Sequence, residues 1–77
     1  MEHTYIIVSN TYYFSDKTVT FYGIAAAKER DGRREITDIV FDLSQERDKV
    51  AQTVALCNEQ KLDVIHLRDI AEDIAAA

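Results

Sequence analysis

The sequence predicts an α+β domain: a three-stranded antiparallel meander followed by two helices packed on one sheet face, in the order β-β-β-α-α. Two observations carry this. The first half holds three runs rich in β-branched and aromatic residues, separated by short turn signals, and the second half holds two segments whose apolar residues recur at helical spacing. Short connections favour hairpin-linked neighbours, so the meander is the simplest topology.

The first strand is "TYIIVSNTYYF", Thr4 to Phe14, which contains neither glycine nor proline. Ser15, Asp16 and Lys17 supply a turn, because short polar side chains hydrogen-bond the local backbone. "TVTFYGIAAA" follows as the second strand, to about Ala27; its Gly23 marks a bulge or a close approach by another backbone. Asp31-Gly32 is a strong hairpin signal. The third strand, "EITDIVFDL", alternates Ile39, Phe41 and Leu43 against Asp38, Val40 and Asp42.

Ser44 is the expected N-cap of the first helix, with Glu46 and Asp48 placed where the macrodipole favours negative charge. That helix runs to about Gln60, buries Val50, Val54 and Cys57, and is closed by Lys61. Asp63 caps the second helix, whose apolar stripe is Leu67, Ile70 and Ile74, flanked by Val64 and Ala71.

Seventy-seven residues form one small domain, spanning 1–77, with 47% apolar and 30% charged residues, which are globular proportions. The lone Cys57 excludes an internal disulfide, and the opening residues lack the pattern of a secretory signal, so a cytoplasmic location is expected. No apolar run approaches the ~20 residues that span a bilayer, so no membrane partner is expected. The net charge of −5 arises wholly in residues 36–77. An acidic surface repels phosphate backbones, which argues against nucleic acid as a partner.

Strand one is apolar on both sides, Tyr5 and Ile7 pointing one way and Ile6 and Val8 the other. A strand with water on one face should alternate more cleanly. The expected contact residues are therefore Tyr5, Ile7, Tyr12 and Tyr22 on an open apolar sheet face, serving either a second copy of the chain or a protein partner of unknown identity.

A polar contact surface is expected from His66, Asp69 and Asp73 on the last helix. Their chemistry also suits a hard cation, but a metal site wants three or four ligands with a second shell, and the only other histidine is His3. The simplest reading pairs His66 with Asp69 three residues on. No nucleophile or oxyanion donor stands beside them in sequence, so no catalysis and no cofactor are expected. Cys57 reads as a small buried hydrophobe. Lys28, Arg30, Arg33 and Arg34 form the one basic cluster, diluted by Glu29, Asp31 and Glu35. It offers an alternative function, a nucleic-acid-associated regulator working through this hairpin tip.

Tyr22-Gly23-Ile24, Asn58-Glu59, Leu62, His66-Leu67-Arg68-Asp69-Ile70 and Glu72-Asp73 together resemble a family of small uncharacterised proteins, a domain of unknown function, from Gram-positive gut anaerobes. The likeness covers most of the chain. Members often open the last helix with Ser-Pro, where this chain has Asp63-Val64, and both pairs serve as helix starts. The resemblance brings no activity; it implies that the pattern around His66, Asp69, Glu72 and Asp73 is a recurring surface. A non-catalytic protein-binding module is the expected function.

Overall fold

The computed structural model describes residues 3–76. Strands β1 (Thr4–Tyr13), β2 (Thr18–Arg30) and β3 (Arg33–Ser44) form an antiparallel sheet in the order β1-β2-β3. Helix α1 (Arg47–Glu59), a 3-10 turn at Val64–His66 and helix α2 (Leu67–Ala76) follow, so the meander with two helices is the observed fold. The shortest dimension is 17 Å. That is one sheet plus one helical layer, since packed layers lie about 10 Å apart.

Turn chemistry sets the register. Asp31 and Gly32 take φ values of 54° and 74° between the paired Arg30 and Arg33. Two central residues with positive φ make the type I′ loop whose twist matches the flanking strands. At the other hairpin the Phe14 N–H donates to the Lys17 carbonyl at 2.8 Å, closing the Ser15-Asp16 turn. β1 and β2 then pair without interruption from Thr4↔Ala27 to Tyr13↔Thr18. β3 pairs with β2 only as far as Tyr22↔Ser44, so the far end of the β1–β2 hairpin runs on as a two-stranded ribbon.

β3 departs from the simple alternation expected of it. Ile24 pairs with Val40 and Tyr22 with Ser44, which leaves extra β3 residues between them, and Asp42 there has φ 59°. This bulge returns Leu43 to the same side as Val40, and both pack on the core. A second irregularity lies where Ala26 pairs with Asp38 and Ala27 with Ile36. Gly23 faces the first bulge: a Cβ at that position would lie 2.1 Å from the Val40 carbonyl oxygen. The close backbone approach expected from Gly23 is what the sheet contains.

The core joins Tyr5, Ile24 and Ala26 to Val50, Cys57, Leu67 and Ile74, with Ile7, Tyr22, Val40, Leu43 and Val54 packed against it. Ser44 does not cap α1: Glu46 holds that position without a side-chain bond, and the Ser44 hydroxyl accepts from the Glu46 N–H at 3.0 Å. At the helix end Lys61 takes φ 52°, and the Leu62 N–H reaches the Cys57 carbonyl at 2.9 Å. That is a Schellman-type stop. Asp63 does cap, accepting from the Ile65 N–H at 3.2 Å, but it starts the 3-10 turn, and α2 begins at Leu67. An ion pair ties α2 to the sheet, Arg68 Nη2 to Asp38 Oδ1 at 2.9 Å.

Candidate interaction surface

Strand parity divides the sheet. Tyr5, Ile7 and Tyr22 lie on the helix-covered side, Tyr5 at 1% exposure and the other two packed on the core. The expectation that these three belong to an open contact face is corrected here. Parity alone could not say which face the helices take; they take the Tyr5 side, where Asn58 at the end of α1 and Leu62 just beyond it bind Tyr5. The Tyr5 N–H donates to Asn58 Oδ1 at 2.7 Å, Asn58 Nδ2 donates to the Tyr5 carbonyl at 2.9 Å, and the Tyr5 hydroxyl donates to the Leu62 carbonyl at 2.6 Å. Burial raises the Tyr5 pKa above its ordinary value, with Cys57 and Asp63 adding to the effect.

Of the four apolar residues named from sequence, Tyr12 alone stands on the uncovered side, 40% exposed. Ile6 and Val8 precede it on β1, and Val19 and Phe21 face it from β2 through the pairs Tyr12↔Val19 and Asn10↔Phe21. Ile36 and Ile39 extend the face across β3, opposite Ala27 and Ala25. The middle of the face is the small-residue row Gly23, Ala25 and Ala27, all buried between the flanking strands. Alternation in β1 signalled Ile6 and Val8, but the β3 bulges hid the partnership of Ile36 and Ile39.

The footprint of this face is on the order of 400 Å², taking three strands about 4.8 Å apart and a length near 25 Å, and its exposed apolar area is smaller because the Gly23, Ala25 and Ala27 row is buried. That footprint lies within the range of the largest apolar patch of a typical monomer, a patch that is often functional. Its rim is polar. The Tyr12 hydroxyl donates to the Asp42 carboxylate, and this bond raises the Tyr12 pKa. The Tyr12 and Phe21 rings meet edge to face, with centroids 6.0 Å apart at 75°. Phe41, 46% exposed, lies beside this cluster in the chain, next to Asp42.

His66 closes the 3-10 turn, while Asp69 and Asp73 lie in α2, and all three are exposed. Among the described residues no hydrogen bond or ion pair joins His66 to either carboxylate, so the pairing expected with Asp69 does not form. No group of three or more His, Cys, Asp or Glu among the described residues is arranged to hold a metal ion. Cys57 is buried, and desolvation raises its thiol pKa. At the basic tip Arg30 sits 3.9 Å from Glu35, and these two border an open hollow with Asp31 and Arg33. No helix among the described residues is long and apolar enough to cross a membrane.

These features define a small α+β meander domain with one sheet face covered by helices and, among the described residues, no helix over the other. The chain belongs to a family of unknown function, DUF6514, whose model matches residues 1–77. No curated protein and no solved structure matches it.

Proposed function

We propose that this is a non-catalytic, cytoplasmic protein-binding module whose principal contact surface is the open sheet face. One observation carries the reading: a largely apolar face spans all three strands, and among the described residues no helix lies over it. Burying such a face against another protein removes apolar area from water at about 25 cal/mol per Å². The face is built on hydrogen-bonded strands, so little backbone ordering opposes association. The acidic side of α2, with His66, Asp69 and Asp73, is a secondary polar contact that tunes encounter rate more than affinity.

The alternative, a nucleic-acid-associated regulator acting through Lys28 to Arg34, has less support. Arg30 is engaged by Glu35, Asp31 stands between the arginines, and the remaining chain is acidic.

Benzophenone side chains placed singly at Phe21, on the open face, and at Ile65, exposed on the helical side, test the reading in living cells. Cross-links to another protein from position 21 and none from position 65 are expected, and Ile39→Lys should abolish them. Equal yields from both positions would overturn it.

A further inference from the structure

The two edges of the sheet are built differently. β3 carries Arg33, Arg34, Glu35, Asp38 and Asp42 and two irregularities in pairing. Charges and bulges are the usual devices that keep an edge strand from recruiting another strand. β1 has neither: "TYIIVSNTYY" contains no charged residue, no proline and no glycine, and its pairing with β2 is unbroken. It also satisfies the composition rule for segments that add to other strands.

Among the described residues one position on this edge is blocked. Both backbone groups of Tyr5 point away from β2, because both are held by Asn58. Residues two apart present their backbone groups to the same edge, so Ile7, Ser9, Thr11 and Tyr13 also point outward. Among the described residues no side chain or helix binds those groups.

We infer that β1 pairs antiparallel with β1 of a second copy, over Ile7 to Tyr13, to give a continuous six-stranded sheet. This inference stands apart from the open-face reading. A two-fold axis at Asn10 sets Ile7 opposite Tyr13 and Ser9 opposite Thr11 of the copy, and each such pair exchanges two N–H···O bonds. The register uses every free outward group and stops where Asn58 fills the next one. It also places Ile7 against Tyr13, which at 81% is the most exposed of the large apolar side chains, and Val8 against Tyr12 on the opposite face. A second copy is the fitting occupant because like-charge repulsion between chains of net charge −5 is least along a strand that has no charge.

The test is solution mass by light scattering and sedimentation over a wide concentration range. It uses the native chain, Ser9→Pro, Thr11→Lys and Ile39→Lys, with circular dichroism as the check on folding. Proline is tolerated on an edge strand where its missing N–H faces solvent, so Ser9→Pro keeps the fold and deletes one donor per copy. A dimer is expected for the native chain and Ile39→Lys, with the dissociation constant raised at least about tenfold in Ser9→Pro. Thr11→Lys covers the case in which proline unfolds the chain, since it adds two like charges diagonally across the two-fold axis without touching the backbone, and it should weaken the dimer similarly. A native monomer at all concentrations overturns the inference. So does a dimer indifferent to both β1 variants and broken by Ile39→Lys, which would instead be two open faces stacked. A native monomer leaves cross-linking of other proteins from Phe21 untouched, and stacked open faces would show there as cross-links to a second copy, so failure of this inference and failure of the open-face reading are distinguishable.

Discussion

The carboxamide of Asn58 meets both backbone groups of Tyr5, accepting from the N–H at 2.7 Å and donating to the carbonyl at 2.9 Å. A single side chain thereby does for one residue what a neighbouring strand would do, and it fixes the end of α1 against the sheet edge. Asn58→Ala should destabilise the fold by about 1–3 kcal/mol, the range for two lost hydrogen bonds on partly buried groups. Asn58→Asp should cost nearly as much, because a carboxylate accepts from the N–H but repels the carbonyl oxygen. Urea unfolding with an unchanged slope is the measurement, and a midpoint equal to the native one in both variants would remove the role given to this contact.

Gly23 makes room for the β3 bulge. Gly23→Ala places a methyl group where 2.1 Å separates it from the Val40 oxygen, a backbone atom that cannot swing aside. A loss of more than about 2 kcal/mol is expected, as for other steric conflicts in a packed interior. Gly32→Ala, where a Cβ meets nothing within 4 Å, isolates the cost of positive φ alone and should be milder.

Arg68 and Asp38 contribute unequally. The Arg68 side chain is 67% exposed, so Arg68→Ala should cost less than about 1 kcal/mol and less still in high salt. Asp38 Oδ1 also accepts from the Ile39 N–H at 2.9 Å, inside β3. Asp38→Ala should therefore cost more, and the difference should persist in salt. A thermal-melt series across ionic strength separates the two.

The raised pKa of Tyr5 predicts an alkaline limit. Its folded-state value lies above the unfolded one, so the contribution is fully present below pH ~10, the ordinary tyrosine range, and is lost as pH rises through the folded value. Ultraviolet titration should show one tyrosinate forming only with unfolding. Tyr5→Phe should lower stability at neutral pH, through the lost bond to the Leu62 carbonyl, and flatten the alkaline decline.

Cys57 is buried with a raised pKa, so its thiol should react slowly with a disulfide reagent until the chain unfolds. Reaction rates in water and in denaturing urea test this. A fast native rate would show that the C-terminal end of α1 opens readily.

Element order, the Asp31-Gly32 turn, the purpose of Gly23 and the buried faces of both helices were legible from residue spacing, because each rests on local chemistry. The covered side of the sheet was not. Strand β1 is apolar in both directions, and the Tyr5 side chain is committed to the covered side by contacts remote in sequence, such as its hydroxyl bond to the Leu62 carbonyl fifty-seven positions away. The β3 alternation misled for a related reason: Asp42 occupies a positive-φ position set by tertiary fit to Gly23, so Val40 and Leu43 share a face that a period of two forbids. On an ideal helix His66, Asp69 and Asp73 form one cluster, but the chain enters that helix through a 3-10 turn, and His66 lies in the turn.

The ribbon beyond the Tyr22↔Ser44 pair has no third strand and lies past the helices. A two-stranded hairpin is only marginally stable by itself. Its amides from Thr11 to Thr20 should then exchange with deuterium through small local openings, while those around Ile24 and Val50 wait for the whole chain to unfold. The molecule thus divides into a slow-exchanging base and a fast-exchanging tip, and any partner that docks along the tip would be seen first as protection appearing there.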